Sequence, residues 1–181
     1  MKVVGICGSP RKGNSEWMLK KLLEGVAKAG ADTELILLRE KDIKGCDGCL
    51  VCEVGGKRRK GICRIQDDMQ QIYPKLVEAD ALAFGTPVYF EMLSGLLKNF
   101  MDRTCPIWPR LEQKPIVGVA VAEENVGKAV ENLRTYSSVC GMRWVGHVAA
   151  LAKTPKQVSK DRNVERQLER LGRKLIGMLK V

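Results

Sequence analysis

The amino-terminal stretch of this chain reads as a buried strand that runs through a tight polar turn into a helix. Residues 3–7 form a continuous apolar run, which is typical of a strand covered on both faces. Gly8, Pro10 and Gly13 then turn the chain, and a helical pattern begins at Ser15. The backbone N–H groups of such a turn and the dipole of the following helix both attract anions. We therefore predict a phosphate site between the first strand and the first helix.

The side chains of this turn favour a terminal monophosphate. The dinucleotide-binding spacing Gly-x-Gly-x-x-Gly is absent, and the nucleoside triphosphate loop that residues 8–15 almost match has a lysine where this chain has Asn14. Hydrogen bonds would then hold the phosphate, with Ser9, Asn14 and Ser15 as donors and Arg11 as a charged fork. Flavin mononucleotide (FMN) has a phosphate of this kind. The alternative is a solvated turn without a ligand.

Length and composition predict a single domain over residues 1–181. Of the 181 residues 45% are hydrophobic and few are aromatic, which suits a sheet covered by helices. Apolar runs stay well below the roughly 18 residues of a membrane helix, and the run at 3–7 is too short for a signal peptide. We therefore expect a cytoplasmic protein with no membrane partner. The net charge of +10 fits an acidic protein partner, a polyanion or simple solubility.

Strand and helix patterns alternate along the chain, which predicts an α/β fold with a doubly wound parallel sheet and helices on both faces. Five strands suggest the order 2-1-3-4-5. A cysteine-rich insert at 40–66 follows the second strand, and a loop at 87–93 follows the third. We predict strands at 3–7, 33–38, 81–86, 116–122 and 143–150, and helices at 15–29, 67–79, 94–103, 126–140 and 155–179.

A second loop is expected beside the phosphate turn. In sheets of this order, ligands bind beyond the carboxyl ends of the strands, at the switch point between strands one and three. That rule brings residues 8–14 next to residues 86–90, where Tyr89 and Phe90 offer an apolar wall to a flat ring. These two aromatic side chains could instead simply cover a helix. Together with the phosphate turn, they predict the two ends of one ligand site.

Both loops resemble those of a known family. The first stretch is residues 8–15 (Gly-Ser-Pro-Arg-Lys-Gly-Asn-Ser). The second is residues 86–90 (Thr-Pro-Val-Tyr-Phe), together with the helix at 94–103. These stretches look like the two flavin loops of the NADPH-dependent FMN reductase family. The resemblance spans residues 1–150. It implies a flavodoxin-like fold, FMN as cofactor, NAD(P)H as a donor, and a homodimer or homotetramer. The cofactor-binding residues that it implies are Ser9, Arg11, Gly13, Asn14 and Ser15 for the phosphate, Thr86, Pro87, Val88, Tyr89 and Phe90 for the ring, and Glu123 and Asn125 in a third loop.

Four of the seven cysteines have the spacing of a metal centre. Cys46, Cys49 and Cys52 are separated by two residues each, and Cys63 follows after ten more. Three thiolates at such gaps can bind one face of a [4Fe–4S] cluster, and a more distant fourth can complete its coordination. With the sequence Asp-Asp-Met at 67–69, this cluster of cysteines resembles the iron–sulfur flavoprotein branch of the family, whose last gap is usually shorter. Zinc or unligated thiols are the alternatives.

Three functions are compatible with these patterns. The first is an FMN-dependent oxidoreductase of the iron–sulfur flavoprotein type, which passes electrons between a reduced donor and an acceptor through FMN and a [4Fe–4S] cluster. Its chemistry would lie on FMN without catalytic side chains, and its partners would be small molecules or a ferredoxin-like protein. The second is a cluster-free NAD(P)H-dependent FMN or quinone reductase. The third is a non-enzymatic metal- or nucleic-acid-binding module, which is disfavoured because no nucleic-acid-binding motif accompanies the basic charge.

Overall fold

A parallel sheet of five strands forms the centre of the computed structural model, which describes residues 1–53 and 63–180. The strands are hydrogen-bonded in the order β2-β1-β3-β5-β6, and a short strand β4 pairs with β3. This is the predicted 2-1-3-4-5 order with one hairpin strand added. The strands are β1 (Lys2–Cys7), β2 (Asp32–Leu37), β3 (Ala81–Tyr89), β4 (Met92–Leu93), β5 (Pro115–Ala122) and β6 (Arg143–Leu151), and the helices are α1 (Asn14–Lys28), α2 (Met69–Glu78), α3 (Gly95–Asp102), α4 (Gly127–Val139) and α5 (Arg162–Gly177).

Helices cover both faces of the sheet, as predicted. Alternate residues of each central strand point to opposite faces, so Val3 joins the core under α1 and α5 while Val4 joins the core under α2, α3 and α4. Burial on both faces explains why β1 and β5 are continuous apolar runs. Within the described residues, no helix combines the length and the apolar character that crossing a membrane requires.

The predicted loop at 87–93 is wrong in part. β3 extends to Tyr89, and β4 returns antiparallel to it, with Val88 opposite Leu93 and Tyr89 opposite Met92. The two residues of the turn, Phe90 and Glu91, have φ angles of 49° and 62°. Two-residue hairpins need positive φ at both turn positions, which normally selects Asn and Gly. Phe and Glu carry no such signal, and therefore the hairpin could not be recognised from the sequence.

The carboxy-terminal helix begins later than the predicted residue 155. Thr154 and Pro155 lie in a loop, a short 3₁₀ helix covers Val158–Lys160, and α5 starts at Arg162. The Asp161 carboxylate caps α5 by accepting hydrogen bonds from the N–H groups of Asn163 and Val164, in the first turn of the helix, at 2.8 and 3.2 Å. Another 3₁₀ helix covers Cys105–Arg110, where the sequence pattern predicted no helix or strand. The basic run at 57–60 lies outside the described residues.

Candidate functional site

Short contacts join the turn after β1 to the end of β3. The Gly8 N–H donates to the Gly85 carbonyl at 2.8 Å, and the Ser94 hydroxyl donates to the Gly8 carbonyl at 2.7 Å. A Cβ at Gly8 would lie 2.6 Å from Leu97 Cβ, so only glycine permits this approach. The buried Thr86 hydroxyl accepts the Ser94 N–H at 3.0 Å. From its buried position, Thr86 therefore stabilises the place where Ser94 meets the turn after β1.

The predicted phosphate turn lines a cavity of about 160 Å³ at the carboxyl edge of the sheet. Helix α1 begins there after Gly13, and no side chain caps it, so its first N–H groups have no acceptor within the helix, while Gly13, Asn14 and Ser15 line the cavity. The exposed Arg11 lies at the same place. The lining residues are Ser9, Arg11, Gly13, Asn14, Ser15, Pro87, Val88, Tyr89, Val121, Ala122, Glu123, Ala152, Lys153, Thr154 and Pro155.

Two of the predicted phosphate donors already have partners in the protein. The Ser9 hydroxyl donates to the Arg11 carbonyl at 2.7 Å and so shapes the turn. The Asn14 amide donates to the Thr154 carbonyl at 2.9 Å, and its oxygen accepts the Val158 N–H at 3.2 Å. These side chains therefore lie at the cavity but serve to hold its walls. Arg11 also lines the cavity, as do Gly13 and Ser15 at the start of α1.

Sequence reasoning missed the loop after β6, residues 152–155. This loop lines the phosphate cavity and brings the cation Lys153 to it. The signal was available, because the loop follows the last parallel strand and must lie at the same edge of the sheet as the turns after β1 and β3. Placing the start of the last helix at 155 concealed it.

A second cavity of about 500 Å³ continues the first along the sheet edge. The two cavities share Val88, Tyr89, Ala122 and Glu123, so they form one cleft with a cationic end and an aromatic end. The lining residues of the second cavity are Val88, Tyr89, Phe90, Glu91, Ala122, Glu123, Glu124 and Asn125. Eleven of the twelve predicted cofactor-binding residues therefore line this cleft, and the twelfth is the buried Thr86.

The four predicted metal ligands line one small cavity of about 30 Å³. A fifth thiol, that of Cys105, enters it from the 3₁₀ helix after α3, and the sequence analysis gave this residue no role. Across residues 1–53 and 63–180, no three His, Cys, Asp or Glu side chains are arranged to hold a metal ion. The thiol donors suit an iron–sulfur cluster. A cavity of this size holds only a few water molecules, and residues 54–62, between Cys52 and Cys63, lie outside the described part of the chain.

Comparison with known proteins identifies the family. The model of the NADPH-dependent FMN reductase family matches residues 1–156. The chain belongs to this family. An iron–sulfur flavoprotein of Methanocaldococcus jannaschii is 42% identical over 123 residues, covering 67% of this chain and 61% of that protein. An iron–sulfur flavoprotein of Archaeoglobus fulgidus is 33% identical over 164 residues, and the match covers 87% of this chain and 72% of that protein.

The fold and the branch of the family are also confirmed. The structure of an archaeal flavodoxin superimposes with a TM-score of 0.70 at 15% identity, and the match covers 100% of both chains. This establishes the flavodoxin-like fold.

The chain covers 61% and 49% of the lengths of the first two iron–sulfur flavoproteins that it matches, which are therefore considerably longer than the matched part.

A buried ion pair holds both ends of the cysteine segment in this FMN reductase family member. Arg103 directly follows α3 and pairs with Asp67, with Nη1 2.5 Å and Nη2 3.1 Å from the two carboxylate oxygens. Both side chains are at most 1% exposed. Arg103 also donates to the Lys44 carbonyl at 2.6 Å and lies 3.6 Å from Cys63 Sγ. The chain is thereby fixed on either side of the cysteines.

Asp67 is kept ionised by its donors. Its carboxylate accepts the N–H groups of Lys44 at 2.9 Å and Met69 at 3.0 Å in addition to Arg103. Burial acts to raise the pKa of Asp67, but the hydrogen bonds from Arg103 and the two backbone N–H groups outweigh it and hold the pKa below its usual value. Met69 is the first residue of α2, and the residue directly before that helix is Asp68.

Proposed function

We propose that this protein is an FMN-dependent oxidoreductase of the iron–sulfur flavoprotein type, which passes electrons between a reduced donor and an acceptor through FMN and a [4Fe–4S] cluster. The observation that carries this proposal is the continuous cleft at the switch point of the sheet. It joins an uncapped helix start with Arg11 at one end to Tyr89 and the loop after β5 at the other. Family membership supports the same cofactor.

The residues of the cleft fit FMN in both chemistry and order. The N–H groups of the first turn of α1 and the Arg11 guanidinium would bind the phosphate, with Ser15 beside them. Val88 and Tyr89 would cover part of the ring and exclude water from it. When bound, FMN would supply hydride and single-electron chemistry. No acid–base side chain is required for that role, so the chain contributes binding, orientation and shielding.

The cluster proposal rests on the thiols. Cys46, Cys49, Cys52 and Cys63 would be its ligands, and the names of the archaeal relatives support that assignment. A cluster would give a one-electron route to a protein partner. The net charge of +10 suits an acidic, ferredoxin-like donor or acceptor, and a small-molecule donor such as NAD(P)H would instead use the open cleft.

A cluster-free NAD(P)H-dependent FMN or quinone reductase is the second candidate. It is favoured by the partners that two proposed ligands already have, since Cys63 lies 3.6 Å from the Arg103 guanidinium and Cys52 lies 3.6 Å from Cys105. In that case the thiols would belong to the structure of the segment alone, and the cleft would serve the whole reaction.

Anaerobic purification followed by an absorption spectrum and iron, sulfide and flavin counts tests the proposal. We expect about one FMN per chain together with broad absorbance that bleaches with dithionite and four irons per chain. Bound FMN without iron, after incubation with ferrous iron and sulfide, supports the second candidate. Failure to bind FMN would overturn both.

A further inference from the structure

Two cysteines far apart in the sequence are in van der Waals contact beside the proposed cluster site. Cys52 Sγ and Cys105 Sγ lie 3.6 Å apart, and the residues are separated by 53 positions. A disulfide joins its sulfur atoms at about 2.05 Å, so the two sulfur atoms must approach each other by about 1.5 Å to form one. Both residues are partly exposed, and small reagents can therefore reach them.

We propose that Cys52 and Cys105 form a reversible disulfide in the cluster-free protein, which removes Cys52 from the ligand set and so controls loading of the metal site. The disulfide stands on the observed contact alone. Its control of loading rests on the cluster proposed above.

Cys52 and Cys105 lie in different parts of the protein, and this difference determines how a disulfide between them would affect the metal site. Cys105 begins the 3₁₀ helix just after Arg103, whose guanidinium is fixed by the buried Asp67. Cys52 lies at the small cavity together with the three other proposed ligands. A bond between the two cysteines would tie Cys52 to the start of that 3₁₀ helix and leave three of the four proposed ligands available to a metal.

The chemistry is thiol–disulfide exchange with a low-molecular-weight disulfide as oxidant. One protein thiolate attacks a sulfur of that disulfide, forms a mixed disulfide and releases the first small thiol. The other protein thiolate then attacks the sulfur of its protein neighbour and releases the second small thiol. Two protein thiols are oxidised to one disulfide, one small disulfide is reduced to two thiols, and the two protons move to the released thiols. An excess of small thiol reverses the reaction.

Peptide mapping of the cluster-free full chain tests the disulfide. The protein is incubated without oxygen with oxidised glutathione, alkylated, and digested with trypsin without reduction. Trypsin releases Cys105 within 104–110, Cys63 within 61–64, and Cys46, Cys49 and Cys52 together within 45–57. We expect 104–110 to be linked to 45–57, with fragment ions placing the bond on Cys52.

Matched variants identify the pair. Cys105→Ser is expected to lose this linked peptide, whereas Cys140→Ser, which removes a buried thiol elsewhere, is expected to keep it. A bond from Cys105 to Cys46, Cys49 or Cys63, or Cys105 carrying glutathione alone, would overturn the disulfide proposal.

Cobalt binding tests the control of loading, because Co²⁺ absorbs strongly when thiolates bind it and does not reduce disulfides. The reduced full chain is expected to show this absorbance. The oxidised chain is expected to show it several-fold more weakly, a phosphine reductant should restore it, and Cys105→Ser should keep it after the same oxidation. Equal loss in Cys105→Ser would overturn the controlling role. Absence of the band from the reduced protein would overturn the metal site and its control, while the linked peptide still decides the disulfide.

Discussion

Replacing Arg103 with Met is expected to destabilise the fold more than any surface substitution in the same region. The change leaves the buried Asp67 carboxylate with its two backbone donors but without the cation that neutralises it. Removing one partner of a buried ion pair costs about 3–5 kcal/mol. The lost hydrogen bond to the Lys44 carbonyl is included in that range, since its energy of about 1 kcal/mol is not separable from the loss of the pair.

Urea unfolding followed by circular dichroism measures this change. Arg110→Met is the matched control, because Arg110 is exposed and only seven positions away, and its effect should remain within about 0.5 kcal/mol. The double variant Arg103→Met with Asp67→Asn removes both charges while keeping a side-chain oxygen as an acceptor, and it should recover about 2 kcal/mol or more relative to Arg103→Met alone. A loss below about 1 kcal/mol in Arg103→Met would refute the role given to the pair.

The pH dependence gives an independent check with a defined sign. In the wild type the pKa of Asp67 lies below its usual value, so the stability it contributes is present above about pH 4 and is lost as the pH falls through the depressed pKa. In Arg103→Met the same carboxylate is unpaired and buried, and protonation relieves its cost. The deficit of the variant should therefore shrink as the pH is lowered from 7 towards 4. A deficit independent of pH would show that lost packing, not charge, is responsible.

Three further substitutions test the cleft and its supports. Arg11→Ala should weaken FMN binding about 10–100-fold, because a charge-assisted hydrogen bond of about 1.5–3 kcal/mol is lost, and it should leave riboflavin binding unchanged in fluorescence titrations. Lys12→Ala changes a neighbouring residue outside the cleft lining and should alter the binding of both ligands by less than about threefold. An equal effect of Arg11→Ala on both ligands would contradict the phosphate assignment. Gly8→Ala should lower the free energy of unfolding by about 1–3 kcal/mol in thermal unfolding, because the added Cβ would lie 2.6 Å from Leu97 Cβ in the neighbouring helix. The control Gly95→Ala adds a Cβ in open space and should be neutral or stabilising. Glu91→Gly should raise stability by about 0.5–1 kcal/mol by relieving its φ of 62°, and a lowered melting temperature would contradict that strain.

The parts of the molecule that the sequence predicted are those decided by local pattern and general topology. The apolar run of β1 followed by Gly8 marks the strand and the turn, since a short apolar run that ends at a turn residue is typical of a strand buried on both faces. The switch-point rule then places the turn beside residues 86–90 without knowledge of any contact. The start of α5 shows the limit of such patterns. Pro155 and Asp161 are both valid signals for a helix start, and only tertiary packing chooses the second.

Polar residues in the predicted phosphate turn show that residue type alone does not predict which side chains already have partners within the protein. Ser9 and Asn14 are suitable donors to a phosphate, but the turn must also satisfy its own carbonyl groups and those of the loop after β6. Their side chains have such partners, so the proposed phosphate site would depend mainly on Arg11 and on backbone N–H groups, which no sequence pattern can identify. The contact of Cys105 with Cys52 has the same origin, since 53 positions of chain separate the two thiols and only the packed structure brings them together.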